Sequence, residues 1–224
     1  LVAILRRFYN RCDMVSAPSQ VIEDRLRAQG VVRPISRWAR GTDHDRFSPA
    51  RRDLPWRQSL GIGDEEVVVG FLGRLVLEKG LDIFASVAAE LSARGIAHRI
   101  MVIGDGPAKD EFQRMVPTAV MAGFLTGNDL GKALASCDIL LNPSVTECFG
   151  NVNLEAMAAG VVVVAADATG NQALVQDGVT GRLISPRDVD AYADAIQIFA
   201  QDRQLLRATG QAAHRFAADF EWGR

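Results

Sequence analysis

Residues 67–106 read VVVGFLGRLVLEKGLDIFASVAAELSARGIAHRIMVIGDG, and this stretch decides the fold. It begins with the apolar run Val67–Leu72 and closes on a second run, Arg99–Ile103. Both runs are short and rich in Val or Ile, and a glycine follows each, which is typical of buried strands. The residues between them place apolar side chains at a helical spacing: Leu81, Phe84, Ala88 and Leu91. A strand, a helix and a second strand in this order predict a βαβ unit with parallel strands.

The same alternation continues along the chain. Four more apolar runs have the length and composition of strands: Ala119–Ala122, Asp138–Asn142, Val161–Ala165 and Arg182–Ile184. The sequence therefore predicts an α/β fold, a Rossmann-like parallel sheet with helices on both faces. Because open sheets of this kind bind ligands at the carboxyl ends of their strands, we expect functional residues in the loops there.

Composition restricts the class of protein. Lys and Arg number 25 and Asp and Glu 27, so the net charge is 25 − 27 = −2 and no basic excess predicts nucleic acid as a partner. No apolar run approaches the ~20 residues that a membrane-spanning helix needs. Three scattered cysteines without metal-ligand spacing favour a reducing compartment, and we predict a cytoplasmic location.

Two parts of the chain differ in pattern. Residues 1–49 combine an amphipathic start, a short strand near Met14–Ala17, a helix opening at Pro18-Ser19 and a turn region, which is typical of a connecting piece. Residues 50–224 contain all six predicted strands and form the predicted main domain. Since the chain begins without Met, we expect it to be part of a longer protein.

A first motif, Gly73 to Gly80, leaves a predicted strand and enters a helix. It carries Arg74 and Lys79, a planar fork and a compact point charge that suit the oxygens of a diphosphate. In the alternative, Glu78 and Lys79 lie on a solvated helix start and Arg74 pairs with a nearby carboxylate.

A second motif, Gly104-Asp105-Gly106-Pro107, follows the strand Arg99–Ile103. It departs from the dinucleotide fingerprint, because the third glycine would fall on Lys109 and Pro107 reshapes the turn. An NAD enzyme is therefore disfavoured. The pattern indicates either a tight turn whose backbone borders a flat base, or a plain turn.

A third motif, residues 143–160, places two glutamates around the start of a predicted helix. Glu147 lies in the loop before the helix and Glu155 lies early within it. Free N–H groups and the helix dipole favour an anion at that point, and Gly150 lets a ligand approach the backbone. The two carboxylates could accept hydrogen bonds from vicinal hydroxyls. In the alternative, both are solvated acids near a helix start.

The sequence does not predict a metal site. Two Asp-x-Asp patterns occur, at Asp188 with Asp190 and at Asp43 with Asp45. The first follows Pro186 at a helix opening, where an acid serves better as a cap. Histidines occur without any repeated ligand spacing.

These motifs together resemble those of the retaining glycosyltransferases of the GT-B fold, also grouped as glycosyltransferase family 4 or glycosyl transferases group 1. The resemblance covers nearly the whole chain. Its carriers are Gly73-Arg74-Leu75, Glu78-Lys79-Gly80, Gly104-Asp105-Gly106-Pro107, the segment from Glu147 to Met157, Ala17-Pro18-Ser19, Gly41-Thr42-Asp43, Phe47, Pro49 and Asp177 to Gly181.

The resemblance implies that residues 50–224 are the C-terminal, donor-binding half of a two-domain enzyme and that residues 1–49 end the N-terminal domain and connect the two. It also implies that Arg74 and Lys79 hold the donor diphosphate. Glu147 would then meet hydroxyls of the donor sugar, and Glu155 would bind the ribose.

Further donor contacts are implied at backbone and turn positions: Gly73, Gly104, Asp105, Gly106, Phe149, Gly150 and Asn151. Two positions depart from the family pattern. Cys148 stands where Thr or Ser is usual and Thr42 where Val is common, and neither change removes a group expected to contact the donor.

The function implied is transfer of a hexose, with retention, from a UDP-, GDP- or ADP-sugar to a sugar or lipid-linked acceptor. The resemblance implies no cofactor and no metal. The N-terminal domain would hold most of the acceptor, so we expect this chain to be inactive alone, and peripheral membrane contact of the full-length protein stays open. The alternatives are a non-catalytic nucleotide-sugar-binding module, a hydrolase that uses Glu147 and Glu155, and an epimerase or sugar-phosphate synthase on the same fold.

Overall fold

The computed structural model describes residues 1–38 and 40–221, so Ala39 and residues 222–224 of the two predicted parts lie outside the described residues. The N-terminal part contains helix α1 (Val2–Tyr9), strand β1 (Val15–Ala17), helix α2 (Gln20–Ala28) and strand β2 (Ile35–Arg37), and the two strands pair in parallel. Ser19 caps α2, since its hydroxyl accepts a hydrogen bond from the Ile22 amide. The predicted helix opening at Pro18-Ser19 is confirmed.

The main sheet follows helix α3 (Leu54–Ser59). Strands and helices then alternate: β3 (Val68–Leu72), α4 (Leu81–Ala93), β4 (Arg99–Ile103), α5 (Lys109–Met115), β5 (Val120–Gly123), α6 (Gly127–Ala135), β6 (Ile139–Asn142), α7 (Asn151–Ala158), β7 (Val162–Ala166), α8 (Thr169–Gln172), β8 (Gly181–Ile184), α9 (Val189–Gln201) and α10 (Arg203–Ala217). All six predicted strands form, each end within one residue of its predicted position. Within the described ranges, no helix has the length and apolar character needed to span a bilayer.

Two hydrophobic cores lie on opposite faces of the sheet. Val69 and Phe71 of β3 join the core formed with α4, α5 and α9, whereas Val68 joins the core formed with α6, α7 and α10. Phe84 of α4 packs edge-on against Phe71, with ring centroids 5.9 Å apart. Each fully buried apolar side chain of this size contributes about 1.5–3 kcal/mol relative to an exposed one. The prediction of helices on both faces is confirmed.

The strand order is β5-β4-β3-β6-β7-β8, and every neighbouring pair is parallel. From β3 the chain runs outward through β4 to β5, and it then returns to start the other half with β6 beside β3. The order therefore reverses between β3 and β6. Open α/β sheets bind their ligands in the crevice outside the carboxyl ends of the strands at such a point.

The opposite, amino-terminal edge of the sheet is closed by a buried ion cluster. Asp138 accepts hydrogen bonds from Arg57 (3.2 Å) and Arg52 (2.9 Å). Arg57 is completely buried, and its guanidinium also donates to three backbone carbonyls, those of Ser136, Gly63 and Glu66. These bonds tie the segment before β3 to the start of the sheet.

Candidate functional site

The loops after β3 and β6 pack against each other at the carboxyl edge, where the strand order reverses. Gly80, which ends the β3 loop, has φ +74°, a conformation that side chains other than glycine rarely adopt. A Cβ atom at this position would lie 3.1 Å from the carbonyl oxygen of Pro143, at the start of the β6 loop. The glycine therefore lets the two loops approach closely.

An ion pair joins the same two loops. Lys79 Nζ lies 2.6 Å from Glu147 Oε1, and the two side chains are 31% and 14% exposed. This contact brings together two predicted site residues that are 68 positions apart in the sequence. The alternative of a solvated helix start holds for Glu78, which is exposed, but not for Lys79, which is half-buried against Glu147.

Arg74, in contrast, is exposed, and its guanidinium makes no ion pair or hydrogen bond with residues 1–38 or 40–221. The alternative in which a nearby carboxylate pairs with it is wrong. Together with Gly73, Gly104 and Asp105, Arg74 lines a cleft of about 400 Å³ at the carboxyl ends of β3 and β4. The unpaired guanidinium of Arg74 thus lies at the edge of the sheet where a ligand is expected.

Phe124 also lines this cleft and was not predicted from the sequence. It directly follows β5, and its side chain is 76% exposed although it is large and apolar. Leu125 and Leu130 continue the apolar wall beside it. A signal was available, since an aromatic residue after Gly123 stands at the carboxyl end of a strand.

The second glycine motif brings two loops into backbone contact. A Cβ atom at Gly104 would overlap the carbonyl oxygen of Gly73, and one at Gly106 would overlap that of Leu75. The Leu75 amide donates to the carbonyl of Asp105 at 3.0 Å. Both glycines are therefore required for packing between the β3 and β4 loops, whatever ligand contacts their backbone makes.

The start of α7 has the geometry that favours an anion. Gly150 precedes the helix with φ +85°, and the amides of Asn151 and Val152 have no acceptor within the described part of the chain. The Phe149 side chain is buried, and its ring lies 6.3 Å from that of Phe220. Because its ring packs in the core, only backbone groups of Phe149 remain for the predicted donor contacts at positions 149–151.

Glu155 lies one turn into α7 and is half-buried. Its carboxylate has no hydrogen bond or ion pair to any other residue that the structure describes. Burial raises the pKa of Glu155 to about 7, although the positive charge of Arg46 acts in the opposite direction. The solvated-acid alternative is therefore wrong for Glu155.

Three asparagines form a buried cluster beneath the β6 loop, and the sequence analysis did not identify them. Asn142 ends β6, Asn153 lies in the first turn of α7 and Asn171 lies in α8. Their side chains are hydrogen-bonded to one another at 2.8–3.4 Å. A signal existed in part, because Asn142 and Asn171 lie at and after the carboxyl ends of adjacent parallel strands.

The Asp-x-Asp patterns have structural roles. Asp188 caps α9 by accepting a hydrogen bond from the Ala191 amide at 3.1 Å, which confirms the predicted cap. Asp43 accepts from the Arg46 amide at 3.0 Å and pairs with the Arg46 side chain. Across residues 1–38 and 40–221, no three His, Cys, Asp or Glu side chains are grouped as they would be around a metal ion.

Comparison with known proteins identifies similar sequences and similar structures. The chain is 33% identical to the sulfoquinovosyl transferase SQD2 of Arabidopsis thaliana, an alignment that covers 98% of this chain and 44% of the relative. It is 34% identical to a GDP-mannose-dependent alpha-mannosyltransferase of Corynebacterium glutamicum, over 82% of this chain and 43% of the relative. The crystal structure of Anabaena HepE in complex with UDP and glucose superposes with a TM-score of 0.83 at 26% identity, covering 98% of this chain and 62% of HepE.

The chain thus spans about half the length of the curated relatives that it matches. The model of the family named glycosyl transferases group 1 matches residues 66–202, which include β3 through α9 and every predicted site residue. The parallel sheet and its flanking helices are those of the GT-B glycosyltransferase structures. On this match the chain belongs to the family of glycosyl transferases group 1.

Proposed function

We propose that this chain binds the nucleotide-sugar donor of a retaining hexosyltransferase and forms the donor half of its active site. The observation that carries the proposal is the ion pair of Lys79 with Glu147, which joins the loops after β3 and β6 where the strand order reverses. Arg74 lies in the first of these loops, and α7 begins at the end of the second. The relatives support it, because SQD2 is a sulfoquinovosyl transferase and HepE was crystallised with UDP and glucose. The transferase names of SQD2 and of the mannosyltransferase favour transfer over the hydrolase and epimerase alternatives.

The diphosphate is bound by positive charge and by backbone amides. Arg74 contributes an unpaired guanidinium, Lys79 an ammonium group, and α7 the free amides of Asn151 and Val152. Hydrogen bonds to charged groups contribute roughly 1.5–3 kcal/mol each. When the bond to the sugar breaks, negative charge grows on the leaving diphosphate, and the same groups stabilise it. The proposed binding therefore needs no metal ion.

The nucleoside occupies the cleft of about 400 Å³ at the carboxyl ends of β3 and β4. Its base lies against the exposed ring of Phe124, because stacking removes both the flat aromatic base and the apolar wall from water. The ribose diol donates hydrogen bonds to Glu155. This partner relieves the cost of the half-buried carboxylate, which has none among the residues described.

Glu147 accepts hydrogen bonds from hydroxyls of the transferred sugar. Lys79 holds this carboxylate at the junction between the two loops, next to the diphosphate. By resemblance to the family, the acceptor attacks from the face that the diphosphate leaves, so the configuration is retained. The other half of the full-length protein supplies most of the acceptor contacts, and this chain alone binds donor without turning it over.

Titration calorimetry of this chain with UDP, GDP and ADP in the presence of EDTA tests the proposal. We expect a dissociation constant on the order of 10 μM to 1 mM for at least one of them, or roughly 4–7 kcal/mol. Absence of binding to all three, or binding that EDTA abolishes, would contradict it.

The two glutamates provide a sharper test, because each has a different proposed partner. Glu155→Ala should weaken binding of the nucleoside diphosphate and of its sugar ester, the nucleotide sugar, alike, by roughly 1–3 kcal/mol. Glu147→Ala should weaken binding of the sugar ester only. Equal losses for both variants on the free nucleotide would refute the assignment.

A further inference from the structure

The β6 loop, which carries Glu147, packs on three buried asparagine side chains. Asn153 and Asn171 are completely buried and Asn142 is 6% exposed. Leaving a buried amide side chain without hydrogen bonds costs free energy. The hydrogen bonds of these amides therefore restrict the positions of the backbones that they join. The cluster of Asn142, Asn153 and Asn171 is called the asparagine triad below.

The triad joins three separate elements. Asn142 Nδ2 donates to Asn153 Oδ1 at 2.9 Å and to Asn171 Oδ1 at 3.4 Å, and Asn153 Nδ2 donates to Asn171 Oδ1 at 2.8 Å. The end of β6, the first turn of α7 and helix α8 are thereby fixed relative to one another. These elements border the loop that carries Glu147 on both sides.

The triad is also bonded to the loop itself. Asn171 Nδ2 donates to the Ser144 carbonyl at 3.0 Å and to the Ala166 carbonyl at 2.9 Å, so one amide group links the β6 loop to the end of β7. Asn142 Oδ1 accepts from the Ser144 amide at 3.3 Å. Both backbone polar groups of Ser144 are therefore bonded to the triad, three residues before Glu147.

Helix α8 contacts Glu147 directly. A Cβ atom at Gly170 would overlap the carbonyl oxygen of Glu147, so the two backbones touch. Thr169 Oγ1 also lies 3.4 Å from that oxygen. Asn171, the next residue, anchors α8 to the triad. A shift of α8 must consequently move the backbone of Glu147.

We propose that Asn142, Asn153 and Asn171 are positioning residues for the donor sugar: they fix Glu147 relative to the start of α7. The inference rests on the proposed function, because it assigns the triad an effect on sugar recognition through Glu147. Arg74 and Phe124 lie on other elements, whereas Glu155 and the free amides of Asn151 and Val152 share α7 with Asn153. Asn171 lies in α8 and is bonded to the loop that carries Glu147. A change at Asn171 should therefore influence the affinity for the sugar rather than that for the nucleotide.

A double-mutant cycle tests this separation. The measured quantity is the sugar preference, the dissociation constant of the free nucleoside diphosphate divided by that of its sugar ester. Asn171→Ala should lower the sugar preference at least fivefold and leave the affinity for the free diphosphate within twofold. In the Glu147→Gln background the same substitution should change the sugar preference less than twofold, since the residue through which it acts has already been altered.

A matched pair of glycine substitutions covers the case in which Asn171→Ala does not fold. Gly170→Ala inserts a methyl group against the Glu147 carbonyl, and Gly210→Ala inserts one against the Gly160 carbonyl, before β7 at the other edge of the sheet. Both should lower the melting temperature. Only Gly170→Ala should lower the sugar preference.

Four results would overturn the inference. The first is a sugar preference of one in the unaltered chain. The second and third are equal losses of sugar preference, either from Asn171→Ala in both backgrounds or from the two glycine variants. The fourth is that Asn171→Ala weakens binding of the free diphosphate only. If the unaltered chain binds none of UDP, GDP and ADP, the proposed function fails first. If it binds one of them and a result named above occurs, the inference alone fails.

Discussion

The two edges of the sheet use charged residues in opposite ways. At the amino-terminal edge, the buried guanidinium of Arg57 donates to Asp138 and to three carbonyls. At the carboxyl-terminal edge, the guanidinium of Arg74 and the carboxylate of Glu155 have no polar partner within residues 1–38 and 40–221. A buried charge that is hydrogen-bonded to several partners fixes the elements that it joins, and removing one partner is costly.

An unpaired charge that faces a cleft has the opposite effect on the free protein. Burial of Glu155 without a partner raises its pKa to about 7, which means that its ionised form is disfavoured in the fold. Perturbed groups of this kind are concentrated at functional sites, where a ligand supplies the missing partner. The comparison assigns a stabilising role to the paired charges of the amino-terminal edge and supports the proposed donor binding at the other edge.

The largest effect that we expect is on stability at the amino-terminal edge. Arg57→Ala leaves Asp138 partly unpaired and three carbonyls without their donor, so the free energy of unfolding should fall by about 3–5 kcal/mol. Urea unfolding measures this loss. Arg94→Ala is the control, because Arg94 also contacts several acidic groups but they lie at the surface, and its loss of stability should be much smaller. A loss below about 1 kcal/mol for Arg57→Ala would mean that the cluster does not hold the edge.

The second effect is on binding at the carboxyl-terminal edge. Arg74→Ala should weaken nucleoside diphosphate binding by roughly 1.5–3 kcal/mol, because it removes a charged donor. The free energy of unfolding should change by no more than about 0.5 kcal/mol, since the side chain is exposed and unpaired. Calorimetry and urea unfolding on the same preparation measure both quantities.

Arg207→Ala provides the matched control for Arg74. It is also an exposed arginine that lines a cleft, one of about 390 Å³ at the opposite edge of the sheet. The substitution should leave diphosphate binding unchanged. Equal losses in the two variants would show that binding follows overall charge rather than the site.

The sheet could be predicted from local pattern because its parallel strands are buried on both faces. Such strands are continuous apolar runs, as Val161–Ala165 is, and glycines mark their ends. That Lys79 and Glu147 belong to one site was implied only by the family resemblance. Their pairing at 2.6 Å depends on strand order, which short-range pattern does not contain.

The asparagine triad could not be predicted for a related reason. Asn is common in turns and at helix starts, so each of Asn142, Asn153 and Asn171 has an ordinary local explanation. Only the packing of β6, α7 and α8 shows that their amides are buried together. Gly104 and Gly106 have the same limitation for prediction. Their sequence pattern suggests a loop that binds a ligand, whereas in the structure the backbone of the β3 loop occupies the space beside them.

Glu155 allows a pH test in which stability and binding change in opposite directions. Its pKa is raised from 4.5 to about 7 in the fold, so the stability linked to this group is fully present below pH 4.5 and is lost as pH rises through 7. The ribose diol donates to the ionised form. Affinity for a nucleotide sugar should consequently rise severalfold between pH 6 and pH 8, a range in which its diphosphate diester does not titrate.

Glu155→Gln is the control for both measurements. The variant cannot ionise at this position, so its affinity should be nearly constant from pH 6 to pH 8 and its stability should fall less over the same range. Melting temperature and calorimetry across this range measure the two trends. The same rise in affinity with pH in the variant would assign the titration to another group.

The smallest effect concerns the ion pair that spans the two loops. Glu147 neutralises Lys79 in the free protein, so a diphosphate must compete with this carboxylate for the ammonium group. Glu147→Gln keeps the shape of the side chain and removes its charge. Affinity for the free nucleoside diphosphate should then rise about twofold, since partly exposed pairs contribute roughly 0.2–1 kcal/mol. Glu78→Gln removes an equal charge from the neighbouring position without breaking the pair, and it should give a smaller gain. Equal gains would reduce the effect to general electrostatics, and a loss as large as that of Arg74→Ala would show that Glu147 binds the nucleotide itself.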